Sequence, residues 1–290
     1  MSNADHASPA IAAAREAPHA PSAQLPPARI HPRPGSGSST GIAAVTVAVA
    51  LLLWWGATAA GWIAPLFLPP PAAVWQAATQ AWDGNVQGGL PLWQHIAWSL
   101  LRVFGAFLLA ALAAVPVGLL MGASRIARGV FDPLLEFYRP LPPLAYLPLI
   151  VIWFGIDETA KLLLIWLACF APIAVSTRAG VAGVPAEQLH AAQSMGATRW
   201  QLLRHVILPA ALPDILTGLR IAIGFGWTTL VAAEMVAATA GLGQLVLNAS
   251  SFLRTDVVVM GIILIGLIAY LFDLAMRRLA DALTPWRGHR

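Results

Sequence analysis

Six polar side chains are candidates for chemistry because they lie within or beside long apolar stretches. They are Arg102, Arg139, Arg220, Thr228, Thr229 and Glu234. An ionised group at the centre of a bilayer costs about 2.5–3.5 kcal/mol on insertion scales, so such groups usually pair with each other or face a water-filled path. We therefore interpret the six as candidate linings of a path for a polar solute. Alternatively, the arginines extend to the membrane surface and the threonines bond their own helix backbone.

Other kinds of chemistry lack their sequence motifs. The only lysine, Lys161, follows Ala160, so the sequence has no glycine-rich phosphate loop that ends in lysine. No HExxH motif occurs, and the single cysteine, Cys169, excludes an internal disulfide or a multi-cysteine metal site. We therefore expect no catalytic residue, no metal site and no bound cofactor in this chain.

The composition explains why so few polar groups are present. Of the 290 residues, 58% are hydrophobic and 10% are charged, whereas soluble domains have roughly 45–50% and about 25%. Together with a mean hydropathy of +0.72, these values indicate an integral membrane protein. The net charge of +4 does not indicate a nucleic-acid-binding protein, because the basic residues are spread thinly, with no run longer than Arg277-Arg278.

Apolar segments of sufficient length predict transmembrane helices. A bilayer core about 30 Å thick needs about 20 helical residues. Six spans are predicted, at about residues 42–63, 103–124, 140–156, 162–178, 215–240 and 257–280. The last four are short or interrupted by charges, and any one of them alone could be a buried helix of a soluble protein. The predicted organisation is a disordered cytosolic tail at residues 1–40 and an all-α membrane domain at residues 41–290.

The positions of lysine and arginine predict the orientation. With a cytosolic N-terminus, 14 of the 17 basic residues lie on the cytosolic side, and only Arg102, Lys161 and Arg254 lie on the other. Because cytosolic loops carry the excess of positive charge, both termini are predicted to be cytosolic. Residues 72–82, which contain two tryptophans, are either an interfacial helix on the outer surface or a plain loop.

Small residues recur at every fourth position in two of the predicted spans. One stripe comprises Ala106, Ala110, Ala114, Gly118 and Gly122, and the other comprises Gly218, Ala222 and Gly226. Such stripes let helix backbones approach closely in a membrane. They therefore indicate close helix packing, unless they arise by chance in an alanine-rich chain.

The predicted cytosolic stretch at residues 184–213 carries more signals than a simple connector needs. Pro185 suits a first helical turn, and Glu187 is favourable near the positive end of a helix. Gly196 suits a left-handed helix end, and Thr198 can cap a second helix. The pattern predicts two short helices held at the membrane surface.

The same stretch contains signals for where its second helix ends. That helix is expected to run through Leu208 and to stop at Pro209 and Pro213, because proline lacks the N–H that a helix interior uses. Asp214 can then cap the following transmembrane helix. The alternative is a loop that merely joins two spans.

Three groups of residues in this stretch have a distinctive spacing. They are His190-Ala191-Ala192, Gly196 and Val206-Ile207-Leu208-Pro209. With them the stretch resembles the EAA loop of permease subunits of binding-protein-dependent ABC importers, with His190 where that family has glutamate. Glu187, one turn earlier, can supply the missing charge. The residues at 65–71, 138–149, 153–156, 215–220 and 283–286 are similar to taurine permeases, within the taurine, aliphatic-sulfonate and nitrate branch.

The resemblance implies a permease with the type I ABC importer fold in the bacterial inner membrane. It implies a homodimer, two ATPase subunits that bind ATP and Mg, and a periplasmic substrate-binding protein. The implied ATPase-coupling residues are Glu187, His190, Ala191, Ala192, Gly196, Leu208 and Pro209. The expected substrate is taurine, with aliphatic sulfonates, nitrate and aromatic acids as alternatives. A stand-alone channel or secondary transporter is the rival class, but the two capped helices and the missing phosphate loop favour the ABC permease.

Overall fold

The computed structural model describes residues 40–86 and 89–285. Residues 1–39 of the predicted tail lie outside the described residues, so the disorder of the tail stays a prediction. Among the described residues, 51–86 and 89–285 belong to one unit, which forms the helical bundle, and residues 40–50 belong to another.

Every regular element within these described residues is helical, which confirms the predicted all-α class. In chain order, helices α1 to α7 are Thr40–Ala59, Pro71–Trp82, Leu92–Ala123, Arg125–Tyr138, Pro143–Phe154, Glu158–Ala182 and Ala186–Ser194. They are followed by α8 at Arg199–Leu202, a π-helical turn at Leu203–Ile207, α9 at Leu208–Ala237, α10 at Leu242–Ser251 and α11 at Thr255–Leu283.

Five helices in the described part of the chain are long and apolar enough to cross a bilayer. They are α1, α3, α6, the continuous helix from Arg199 to Ala237, and α11. The remaining predicted span, at residues 140–156, contains α5, whose 12 residues reach only about 18 Å. Pro142 and Pro143 lie at its start and Gly155, with φ +77°, at its end. The count of six spans therefore stays a prediction.

Helices α3 and α6 begin earlier than the charges in the sequence suggested. The predicted spans begin after Arg102 and after Lys161, whereas α3 begins at Leu92 and α6 at Glu158. Arg102 and Lys161 are each only 3% exposed, and both form ion pairs. Because a buried charge is tolerated when it is paired, the prediction that each charge ends a span was wrong.

The two stripes of small residues pack against the same helix, α6. A Cβ atom added to Gly118 of α3 would lie 2.6 Å from the carbonyl oxygen of Ala174 in α6. A Cβ atom added to Gly218 of α9 would collide with Ser176, also in α6. The fully buried alanines of the stripes are Ala106, Ala110, Ala114 and Ala222. The stripes therefore do mark close packing, and α6 lies between α3 and α9.

Residues 71–82 form the helix α2 rather than a plain loop. Pro71 occupies its first turn, where a missing N–H costs nothing. Val74 and Ala77 are buried in a cluster that includes residues of α11, whereas Trp75 and Trp82 are exposed. The helix is thus amphipathic, and its place at the outer membrane surface stays a prediction.

Candidate functional site

Residues 184–213 form a helical elbow, which consists of α7, a tight turn and the start of the long helix that contains α9. Pro185 precedes α7, and its carbonyl oxygen accepts the N–H of Gln188 at 3.1 Å. Glu187 lies in the first turn, where a carboxylate is favourable beside the unpaired N–H groups of a helix start. The first of the two predicted helices is therefore present.

Gly196 ends α7 in the left-handed conformation that the sequence predicts, with φ +79°. Its N–H donates to the Gln193 carbonyl at 2.9 Å, and the N–H of Ala197 donates to the Ala192 carbonyl at 3.1 Å. This pair of hydrogen bonds is the Schellman pattern, which satisfies the last carbonyls of a helix. No atom lies within 4 Å of a Cβ added to Gly196, so its backbone angle is the constraint there.

Thr198 caps the second helix, as predicted. The N–H of Gln201 points to the Thr198 hydroxyl at 3.4 Å, and the N–H of Thr198 donates to the Gln201 side chain at 2.8 Å. This reciprocal arrangement is a capping box. Both ends of the turn are thus held by local hydrogen bonds, which gives the elbow a defined angle.

The prediction that Pro209 and Pro213 stop this helix was wrong. The helix runs without a break from Arg199 to Ala237, so Asp214 lies inside it and caps nothing. A π-helical turn precedes Pro209, and in it the N–H of Leu208 donates to the Leu203 carbonyl. Such a wider turn shifts the carbonyls that a proline ring would otherwise meet. The elbow is therefore continuous with a membrane-spanning helix.

Three of the seven predicted coupling residues line one groove, and the other four lie outside its lining. The groove, of about 490 Å³, separates α7 from the long helix and is lined by Ala191, Ala192 and Pro209, among others. Glu187, His190 and Leu208 are exposed, and Gly196 is at the turn. Beside it, the side chains of Met195 and Trp200 are 82% and 66% exposed. Exposed apolar groups rimmed by polar ones are typical of a protein contact surface.

Two of the predicted pathway residues, Arg102 and Glu234, instead meet inside the bundle. Arg102 donates to Glu234 at 2.9 Å and binds Glu158 through two hydrogen bonds of 2.7 and 2.8 Å. Lys161 donates to the same Glu158 at 2.6 Å. We call these four residues the buried charge cluster, although the Glu158 side chain is 42% exposed. The cluster joins α3, α6 and α9.

Glu234 also holds the turn between α9 and α10. It accepts the Ser99 hydroxyl at 2.7 Å and the N–H of Gly243 at 2.9 Å, and it is completely buried. The N–H of Gly241 donates to His95 at 3.0 Å in the same region. Because every oxygen of Glu234 has partners, this carboxylate is satisfied within the chain.

The sequence interpretation missed Glu158, Lys161, Ser99 and His95 as partners in this region. One signal was available, since the predicted orientation places Arg102, Lys161 and Glu234 at the same outer end of their spans. Opposite charges at one depth of a membrane protein tend to pair. Within the described residues, no group of three or more His, Cys, Asp or Glu side chains has the arrangement of a metal site.

The other predicted pathway residues occupy three different places. Arg220 pairs with Asp273 of α11 in a groove between α9 and α11, and Thr228 lines the same groove. The hydroxyl of Thr228 donates to its own helix at Phe225, 2.9 Å away, which was the alternative expected for it. Arg139 lines a separate cavity of about 280 Å³. Thr229 is 4% exposed, inside the bundle.

Comparison with known proteins adds three similarities. The family described as "Binding-protein-dependent transport system inner membrane component" matches residues 114–285, which include the elbow. The chain is 54% identical to the taurine transport system permease protein TauC of Escherichia coli K12 over 243 residues, 84% of this chain and 88% of that protein. It is 38% identical to the putative aliphatic sulfonates transport permease protein SsuC of the same organism, over 81% of this chain and 87% of that protein.

A similarity to a solved structure concerns the fold. Inward-facing structures of the MetNI methionine ABC transporter match with a TM-score of 0.57 and 22% identity. The match covers 67% of this chain and 97% of the other. The two chains therefore share their helical architecture.

Proposed function

We infer the function from one premise: the chain belongs to the family of binding-protein-dependent transport system inner membrane components. It is a permease subunit of an ABC importer with the type I fold, it lies in the inner membrane, and a separate ATPase subunit hydrolyses ATP. We propose that its substrate is taurine. The observation that supports this most is the 54% identity to TauC over 84% of the chain, compared with 38% to SsuC.

The proposed assembly contains two copies of this chain, two ATPase subunits that bind ATP and Mg, and a periplasmic binding protein. Each elbow would be held in a groove of an ATPase subunit, with the exposed Ala191 providing a small, smooth contact surface, while Ala192 packs within the elbow. ATP binding moves the ATPase subunits together, and the rigid connection from Thr198 into α9 carries that movement into the membrane. ATP can shift the permease between inward-facing and outward-facing states only because the ATPase holds the two states with different affinities.

The replacement of a carboxylate by His190 does not remove negative charge from this contact surface. Glu187 and His190 are three residues apart on α7, so they lie on the same side of that helix, and both are exposed. We propose that Glu187 makes the ionic contact with the ATPase that the family's glutamate would make. Pro209, on the opposite wall of the groove, and the exposed Leu208 complete the contact.

Reconstitution tests the proposed function. Vesicles that contain the permease, its ATPase and its binding protein are expected to accumulate labelled taurine when ATP is enclosed on the ATPase side. Vesicles without the ATPase subunit are the control and should take up none. Uptake without the ATPase would instead indicate a channel or secondary transporter. Transport of alkanesulfonates, nitrate or aromatic acids in place of taurine would reject the substrate assignment alone.

Replacement of Gly196 by valine tests the elbow. A side chain in the left-handed conformation costs roughly 1–2 kcal/mol, and a β-branched one is the least tolerated there. We expect the angle of the elbow to change and taurine uptake to fall severalfold, while ATP hydrolysis no longer responds to the loaded binding protein. Gly196→Asn is the matched control, because asparagine tolerates this conformation. Equal uptake by both variants and wild type would show that the turn does not matter for coupling.

A further inference from the structure

The groove between α9 and α11 has the dimensions of a small-molecule site. Its volume is about 580 Å³, within the roughly 300–1,000 Å³ that such sites occupy. From α9 it is lined by Arg220, Ile223, Gly224, Trp227, Thr228 and Val231. These positions follow the spacing of one helix face, so the groove runs about 16 Å along α9.

An ion pair closes one end of this α9–α11 groove. The guanidinium of Arg220 donates to Asp273 of α11 at 2.5 and 3.2 Å, and Arg277 donates to the same carboxylate at 2.5 Å. The side chains of Arg220 and Asp273 are 43% and 31% exposed in the single chain. Two guanidinium groups thus share one carboxylate, which leaves a net charge of +1 among the three groups.

The charges of this ion pair argue against contact between the groove and lipid tails. Arg220 and Asp273 lie within α9 and α11, which both belong to the five described helices whose length and composition suit a membrane span. Charged groups at such depths face a water-filled cavity or the interior of a bundle, because contact with lipid tails is costly. The groove therefore faces the path of a polar solute or the second copy across that path.

We propose that the α9–α11 groove is a low-affinity site for a small zwitterion, and that the substrate enters by opening the Arg220–Asp273 ion pair. The sulfonate of taurine would replace Asp273 on Arg220, whose planar guanidinium suits an oxyanion with several oxygens. The ammonium group would take the place of Arg220 on Asp273. This inference rests on the proposed function, since it assigns residues to the same substrate.

Entry of the substrate would exchange one ion pair for two others of the same kind, sulfonate with Arg220 and ammonium with Asp273. Each charged group has an opposite charge before and after the substrate enters, so no ion is left without compensation. An anion that lacks an ammonium group would leave Asp273 with Arg277 as its one cationic partner instead of two, so the exchange favours zwitterions over simple anions. Binding is expected to be weak, because an existing ion pair must break. Weak binding suits a transport path, in which the substrate must also leave.

The middle of the groove is open where a substrate chain would lie. No atom lies within 4 Å of a Cβ added to Gly224, so a side chain there would project into free space without disturbing the fold. Trp227 forms part of the same wall, and its indole N–H has no hydrogen-bond partner among the described atoms. The groove therefore combines charged groups at one end with an apolar wall suited to an ethyl chain.

The competing explanation is that the ion pair only stabilises the fold. A substitution at Gly224 distinguishes this explanation from substrate binding. Gly224→Leu fills the groove and leaves the ion pair intact. We expect uptake by the reconstituted transporter, at saturating binding protein, to fall at least about tenfold, the loss expected when roughly 1.4 kcal/mol of interaction is removed. Gly266→Leu is the matched control, because Gly266 also has free space around it but lies on α11 and does not line the groove. Equal uptake by the two variants would overturn the proposal.

Direct binding tests the chemistry. Saturation-transfer NMR on the permease–ATPase complex without binding protein is expected to detect taurine and ethanesulfonate, with taurine bound more strongly. In Asp273→Asn the taurine signal should fall about tenfold or more, as when one hydrogen bond to a charged group is lost, while the ethanesulfonate signal persists. Equal loss of both signals, or of neither, would reject the assignment of the ammonium to Asp273.

The outcomes also separate this inference from the proposed function. If taurine is not the substrate, the wild-type transporter will not accumulate it, whatever the groove variants do. If only the inference fails, the wild type transports taurine and the Gly224→Leu and Asp273→Asn variants do so at the same rate.

Discussion

Replacement of Arg102 by methionine is expected to destabilise the permease by about 3–5 kcal/mol, the usual effect of removing one partner from a buried ion pair. Arg102 is the only residue in the buried charge cluster that contacts both Glu158 and Glu234. Without it, Glu234 keeps only its neutral donors in a place with no access to water. The measurement is the melting temperature of the detergent-solubilised complex, followed by the loss of its monodisperse gel-filtration peak.

Two further variants make this result interpretable. Arg254→Gln removes a partly exposed arginine, paired with Asp256, and is expected to cost no more than about 1 kcal/mol. Arg102→Lys should restore part of the stability, because an ammonium group keeps the charge but cannot bind two carboxylates as a guanidinium does. A melting temperature for Arg102→Met as high as that for Arg254→Gln would show that the cluster is not structural.

The cluster also changes what is expected of Glu234. From the sequence alone, Glu234→Gln should alter uptake and leave assembly intact, because a carboxylate in a span indicates a path. The structure places this carboxylate in a packed region with three kinds of partner, so the substitution is expected to impair assembly as well. The groove residues Arg220 and Asp273 are better candidates for a role in transport alone.

The elbow was predictable because its caps act over a few residues. The glycine at position 196 and the Thr198–Gln201 pair each depend on hydrogen bonds to neighbours within five positions, which a sequence displays directly. The behaviour of Pro209 was not predictable in the same way. Proline normally ends a helix, and the π-helical turn that accommodates it has no distinct residue pattern in this stretch.

The identity of the charge pairs was harder to predict, because the predicted orientation gives only the shared depth of Arg102, Lys161 and Glu234 and not which of them are in contact. Arg102 and Glu234 are 132 positions apart, and nothing in their local surroundings identifies them as partners. A charge beside an apolar stretch has two meanings, the end of a span or a paired group inside one, and only the fold distinguishes them. For the same reason the predicted span began at residue 162, whereas α6 begins at Glu158.

Small-residue stripes reveal which side of a helix packs closely, but not against which partner. Both stripes meet α6, and the contact at Gly118 leads to the second large expected effect. Gly118→Val is expected to destabilise the bundle by about 3 kcal/mol, at the upper end of the range for overpacking. The added Cβ would lie 2.6 Å from both the Ala174 carbonyl oxygen and the Thr177 Cβ, so α3 and α6 would have to move apart.

Gly105→Val is the matched control for this prediction, because Gly105 lies in the same helix and has no atom within 4 Å of an added Cβ. A glycine-to-valine change in an open helix position alters stability by less than about 1 kcal/mol. Thermal unfolding in detergent should therefore separate the two variants clearly, with Gly118→Val melting far lower. Similar melting curves would mean that α3 and α6 can separate at little cost, and the close contact of their backbones would then not be what holds the bundle together.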